Sequence, residues 1–494
     1  MGQMRFVIPR PERLMPGAAE QAYLASGDGI PWECQVAHAG DQITIDRDTR
    51  ESGYLYFPWK VAGRGLVQIY SGCLMERAKP YSLPLELARG TLNRLRNQAS
   101  QWQSAGMTIS TAFTEALQTA MLSMSRAATG QDDPGASQDH AEEAIRLGLD
   151  AADLLTQDYA QQVTTIRRSQ PTPPSVLLGA RLSVPPTGDV ATRFLETFNT
   201  AAVSVPWTDI EPTQGDFQWD STDKLVAWAQ ESGVRICLGP LVQMDKHALP
   251  DWLFLDDGYE EVQASIVKFI DAVVNRYRGK VQLWHVTARM NQDGAFAFSE
   301  EQRLRLVVDA VDRVKGADSR TPLVVSFNQP WAEYIARKDQ ELTPINFADT
   351  LIRGELGLAG IGMEIHYGYW PGGTMPRDAM DLGRLLDRWS LIGVPLMVFL
   401  SAPSSMGTDA FARHPARPLV DLRAGGVNTA WQLEIIERLF PVLLAKPPVQ
   451  AIIWDHWTDA QPHELSCGGL FDSANKPKPA LAAFGKLRQQ LLGQ

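Results

Sequence analysis

The chain is poor in cysteine. Four occur in 494 residues, Cys34, Cys73, Cys237 and Cys467, far apart and without metal-ligand spacing, so neither a disulfide framework nor a zinc cluster is expected. Free thiols fit a reducing compartment, and a cytoplasmic location is the expectation. The opening MGQMRFVIPRPERLMPG lacks the apolar core of a secretory signal, and Phe6 stands where a myristoylation motif wants Ser or Thr. No apolar run approaches the roughly 18 residues of a membrane helix. Basic residues are also in deficit, 46 against 57 acidic, for a formal charge of -11. That balance argues against nucleic-acid and anionic-membrane partners, and leaves neutral ligands open.

What is present is an ordinary globular balance, 44% hydrophobic and 21% charged. Three textures follow one another. Residues 1–83 alternate as half-buried strands do: Leu55 and Phe57 share one face, Tyr54 and Tyr56 the other, and a small β-sandwich is expected. Residues 84–168 change to a helical period, with Leu85, Ala88, Leu92 and Leu95 in a first helix and Phe113, Leu117, Met121 and Met124 in a second. Ala144, Leu147, Ala151 and Leu154 mark a third, and the TGQDDPGASQ stretch from Thr129 to Gln138 reads as a loop. Residues 169–174, rich in proline, read as a linker.

Over residues 175–494 short apolar runs begin near Val176, Ala201, Val234, Val281, Leu323, Ile361, Leu396 and Ala451, with helical stretches between them. Eight strands alternating with helices predict an α/β fold, a (β/α)8 TIM barrel, whose working residues sit at the C-terminal strand ends. No Gly-rich phosphate turn follows the first strand, which disfavours the alternative of an open doubly wound sheet. The strand ends are rich in aromatic, amide and charged groups. Trp207, Gln243, Trp284, Arg289, Asn328, Trp331, His366, Trp370, Trp454 and Trp457 are the candidate ligand-binding residues, because sugar rings offer apolar faces flanked by hydroxyls. Strand seven, Leu396 to Ser401, carries no charged side chain.

Phe198-Asn199, Trp207, Ile210-Glu211-Pro212, Gly215, Phe217 and Asp223 resemble the second-strand region of glycoside hydrolase family 10, the β-xylanases. Leu249-Pro250-Asp251-Trp252, Gly360-Ile361-Gly362-Met363 before His366, and Gly469-Leu470-Phe471-Asp472 extend the likeness over nearly the whole barrel. The resemblance implies carbohydrate metabolism and an ancestor that cut β-1,4-xylan by a retaining mechanism, which needs two carboxyl groups. By the same resemblance the acid/base position is Arg289 and the nucleophile position falls in Val398-Phe399-Leu400. A guanidinium cannot shuttle a proton, and neither Phe nor Leu can attack an anomeric carbon.

The leading expectation is therefore a catalytically inactive pseudo-glycosidase that binds an oligosaccharide, polysaccharide or protein partner, with no cofactor. Arg289 would bind a uronate carboxylate or sulfate, or pair with Glu364 or Asp455. Two alternatives stay open: a glycosidase with relocated carboxylates, Glu364 and Asp455 beside His366, and a scaffold protein using the helical segment. The N-terminal sandwich resembles a carbohydrate-binding module, with Tyr54, Tyr56 and Trp59 either a binding face or packing residues. A zinc site from His285, His366 and His456 is a minor possibility.

Overall fold

The structure, a computed structural model, describes residues 2–170, 176–255, 258–337, 340–414, 416–419 and 426–489. Most of the expected linker, 171–174, lies outside them.

Two antiparallel-rich sheets open the chain. One orders Cys34–Ala39, Gln42–Arg47, Gly2–Val7 and Tyr81–Ser82; the other orders Tyr23–Ala25, Gly53–Val61 and Gly65–Leu74. Leu55 and Phe57 are fully buried, as their alternation requires. Three helices follow, Leu83–Ser104, Thr111–Thr129 and Pro134–Arg168. Sheets and helices share one core, in which Phe6, Leu55, Phe57 and Trp59 meet Leu85, Leu92, Ala120, Ala144 and Leu149. Residue 83 is thus no seam between cores. Trp59 is buried in this core, and Tyr56 stacks between Tyr23 and Tyr70 at 4.9 and 4.7 Å, so neither forms an open binding face.

Two local expectations are corrected. The 129–138 loop is shorter than its composition suggests, because Asp133 caps the third helix (Ala136 N–H to Asp133 Oδ1, 3.0 Å) and Pro134 opens it. The second helix buries Phe113, Ala120, Ser123 and Ala127, whereas Met121 is exposed.

The remainder is a closed parallel (β/α)8 barrel. Its strands are Leu177–Leu182, Thr200–Val203, Arg235–Leu238 (resumed at Val242–Gln243), Leu283–Ala288, Leu323–Asn328, Gly360–His366, Leu396–Ser401 and Val449–Trp454. Neighbours pair in parallel around the ring, and Cys237↔Leu283 with Leu238↔Trp284 close it. Side chains alternate across each strand. Ala202, Cys237, Val324, Met397, Phe399, Ala451 and Ile453 fill the lumen, while Val398, Leu400, Ile452 and Trp454 face the helices. Gly239 must be glycine: its φ is +129°, and a Cβ there would lie 2.1 Å from the His285 carbonyl oxygen.

The N-terminal part packs on the barrel through buried charge. Arg94 meets Asp378 at 2.6 Å, both side chains 2% exposed, and Arg377 donates to Tyr23 Oη at 2.9 Å and to Asp381 at 2.9 Å. No helix among the described residues is long and apolar enough to cross a membrane.

Candidate functional site

The C-terminal strand ends enclose a cavity of about 210 Å³. Its centre is Arg289, which follows the fourth strand with φ +61°. Nε donates to Glu364 Oε2 at 2.6 Å, and Nη1 donates to Asp245 Oδ2 at 3.1 Å and to Glu464 Oε1. Burial works against this cation, but Glu364, Glu464 and Asp245 outweigh it and hold the guanidinium well above its ordinary pKa. Burial likewise opposes the Glu464 carboxylate, and Arg289 overcomes it, holding Glu464 far below the usual carboxylate range. Glu364 also accepts from Ser326 Oγ at 2.5 Å, and Gln243 Nε2 donates to Asp245 at 2.6 Å.

A second ion pair sits beside the first. Arg181 Nε donates to Asp455 Oδ1 at 3.0 Å, and His366 Nε2 lies 2.9 Å from Asp455 Oδ2 and 3.9 Å from Glu364 Oε2. Burial opposes the Asp455 charge, yet Arg181 and His366 take its pKa down to about 2. His285 is neutral: burial, aided by Arg181, lowers it to about 3, and its ring stacks on Phe399 at 4.8 Å. Phe399, on strand seven, fills the lumen beside His285.

The structure redistributes the sequence candidates. Trp207, Gln243, Arg289, Glu364, Asp455 and Trp457 line the cavity, and His366 stands behind Asp455. Trp207 stacks on Phe269 at 4.7 Å and donates its indole N–H to Glu211 Oε2 at 2.7 Å. Besides His366, five candidates do not line it. Trp284 is fully buried and donates to Asp318 at 3.1 Å; Trp454 donates to the Gly468 carbonyl at 2.9 Å. Both stand on the outward parity of their strands. Asn328 Nδ2 donates to the Gly372 carbonyl at 2.8 Å, the buried Trp331 ring lies under Arg377, and Trp370 is 41% exposed in a two-residue ribbon with Arg417–Pro418. Sequence reasoning missed Glu464, Asp245, Arg181, Arg413 and His414, of which Glu464 and His414 come from loops after the eighth and seventh strands.

Two groupings have side chains close enough to share a metal ion, Asp245–His414–Glu464 and Asp409–Asp459–His463. Neither fits one. His414 Nδ1 accepts from the Ala416 N–H at 3.0 Å, which keeps the ring proton on Nε2, and both carboxylates are already engaged by Arg289. His463 is tied by both nitrogens, to Asp409 at 2.9 Å and to the Gln461 carbonyl at 2.7 Å, while Lys478 holds Asp459 at 2.5 Å. The histidine trio considered from sequence forms no shared grouping among the described residues. His285 bonds Ser326, His366 bonds Asp455, and His456 accepts from the Leu465 N–H.

Residues 190–394 match Glycosyl hydrolase family 10, from the first barrel helix to just before the seventh strand. Endo-1,4-beta-xylanase 3 of Hypocrea jecorina is 29% identical over 136 residues, 26% of this chain and 39% of that protein. Endo-1,4-beta-xylanase of Agaricus bisporus is 26% identical over 173 residues, 34% of this chain and 50% of that one. The chain thus spans half or less of the length of these relatives. Xylanase 10B from Thermotoga petrophila RKU-1, solved in complex with xylobiose, superposes with a TM-score of 0.47 at 18% identity, covering 68% of this chain and 97% of that one.

Proposed function

From the premise that this is a glycosyl hydrolase family 10 barrel, we propose that it has given up hydrolysis and serves as a glycan-binding protein. The observation that carries the reading is the Arg289 cluster. The residue that resemblance places at the acid/base position is a guanidinium paired with Glu364, Glu464 and Asp245, and it has no proton to exchange near neutral pH. On strand seven the lumen-facing Met397 and Phe399 supply no nucleophile.

Three carboxylates outnumber the single Arg289 charge, so an incoming uronate or sulfate would meet net negative charge there. Among the described lining residues five carboxylates (Asp209, Asp245, Glu364, Asp455, Glu464) face three guanidiniums (Arg181, Arg289, Arg413). A neutral glycan suits that balance. The half-buried Pro206 and Pro240 supply apolar lining, and the carboxylate edges of Asp245 and Glu464, about a quarter exposed, accept from sugar hydroxyls.

Relocated catalysis through Glu364 and Asp455 has less support. Each carboxylate is held by its own guanidinium, and Asp455, with a pKa near 2, cannot serve as an acid. The test is hydrolysis of a broad oligosaccharide panel read by mass spectrometry, beside a Glu364→Gln variant, with thermal shift read in parallel. Stabilisation by a neutral glycan without product from either protein is the expected result. Product from the parent and none from the variant would overturn the reading.

A further inference from the structure

We propose that the barrel mouth is roofed into a pocket for the end of a neutral glycan, one or two sugar units, and excludes the passage of a long chain; this rests on the glycan-binding reading above. The roof consists of contacts that cross the mouth. From the loop after the seventh strand, Arg413 Nη1 reaches Asp209 Oδ2 beyond the second strand at 2.7 Å. From the loop after the eighth strand, Glu464 reaches Arg289 beyond the fourth strand and, at 3.3 Å, Gln243 at the end of the third. The fourth and eighth strands are four steps apart in the ring order, diametrically opposed across the mouth.

The two loops also hold each other. Arg413 N–H donates to the His463 carbonyl at 3.0 Å, His414 N–H to the Glu464 carbonyl at 3.0 Å, and His463 bonds Asp409 at 2.9 Å. An extended polysaccharide lying across the strand ends would have to break the Glu464–Arg289 pair, a contact largely withdrawn from water and so costly to lose. Beneath the roof the space of about 210 Å³ falls short of the ~300–1,000 Å³ of pockets that hold drug-sized ligands. That room matches a short ligand better than several linked rings.

The experiment is calorimetric titration of the full chain with neutral xylo-oligosaccharides and cello-oligosaccharides of increasing length, from one unit to six. Affinity that levels off by two units in the series that binds is the expected result. A gain of about tenfold or more between two and six units would mean an open groove and overturn the proposal. Silence with every sugar would overturn the glycan-binding reading itself, an outcome distinct from a length-dependent one. An Arg413→Ala, Asp209→Ala double variant, checked for an unchanged melting profile, should favour the six-unit sugar over the two-unit sugar by at least about threefold relative to the parent. An unchanged ratio would remove this pair from the roof and overturn its part in the proposal.

Discussion

Arg289 Nε stands 2.6 Å from Glu364 Oε2, joining the end of the fourth strand to the sixth across the barrel lumen. The Arg289 side chain is 9% exposed and that of Glu364 4%, so the pair is withdrawn from water and each charge depends on the other. Asp245 and Glu464 complete the group, which makes Arg289 the one cation shared by three carboxylates.

Arg289→Met keeps the apolar stem and removes the charge. Three carboxylates then lose their partner, and stability should fall by about 3–5 kcal/mol, the usual cost of breaking a buried pair. Without the guanidinium, the burial that opposes the Glu464 charge is no longer outweighed, and the Glu464 pKa rises above that of the unfolded chain. The folded variant then binds more protons than the unfolded one, and its stability falls as pH rises. Urea denaturation of parent and variant at pH 5 and pH 8 measures this: the deficit should be larger at pH 8. An equal deficit at both would mean that the carboxylates are not coupled to Arg289.

Arg94 and Asp378 tie the first helix of the N-terminal part to the barrel, 2.6 Å apart with both side chains 2% exposed. Arg94→Met alone should cost about 3–5 kcal/mol, because it leaves Asp378 charged and buried. Adding Asp378→Asn, which removes the charge and keeps the side-chain oxygen that accepts from the Asp381 N–H at 2.9 Å, should recover most of that loss. Denaturation midpoints of the two single variants and the double variant form the cycle, and a double variant as unstable as the sum of the singles would contradict the coupling.

The barrel and Arg289 were legible in the sequence because strand spacing and strand ends are local patterns. Strand parity was legible too, and it accounts for the misplaced tryptophans: His285 and Asp455 face the interior, so their neighbours Trp284 and Trp454 must face the helix layer. Glu464 was not legible. It lies several residues past the eighth strand in a turn-rich stretch, and only the path of that loop across the mouth brings it to Arg289. The shared core of the N-terminal sheets and helices was hidden for a similar reason, since hydrophobic periodicity shows which face is buried but not what covers it.

Gly90 separates two opposing effects. It lies inside the helix Leu83–Ser104, where alanine in place of glycine ordinarily stabilises by about 1 kcal/mol. A Cβ at this position, however, would stand 2.0 Å from the Tyr70 carbonyl oxygen and 2.4 Å from the Ser71 carbonyl carbon. Backbone cannot yield as a flexible side chain can, so the helix would have to move off the sheet. Gly90→Ala should lower stability by about 1–3 kcal/mol, the range for overpacking. A raised melting temperature would show that the helix does not approach the sheet this closely.

His463 and Asp409 make a pH dependence with two limits. Burial opposes the imidazolium, but the Asp409 bond at 2.9 Å and the Gln461 carbonyl outweigh it and raise the His463 pKa. A histidine raised in the folded state contributes stability that is complete below its unfolded pKa of about 6.5 and is lost as pH rises through the folded value. For Asp409 burial is again the opposing effect, and His463 with the Cys467 N–H brings its pKa down to about 2. That contribution is present above about pH 4 and is lost as pH falls toward 2. The pair therefore stabilises the loops over the cavity most between about pH 4 and pH 6.5. His463→Gln should remove the alkaline limit: unfolding midpoints from pH 5 to pH 9 should show the parent's advantage over the variant shrinking as pH rises. Parallel curves would mean that His463 carries no charge in the folded protein.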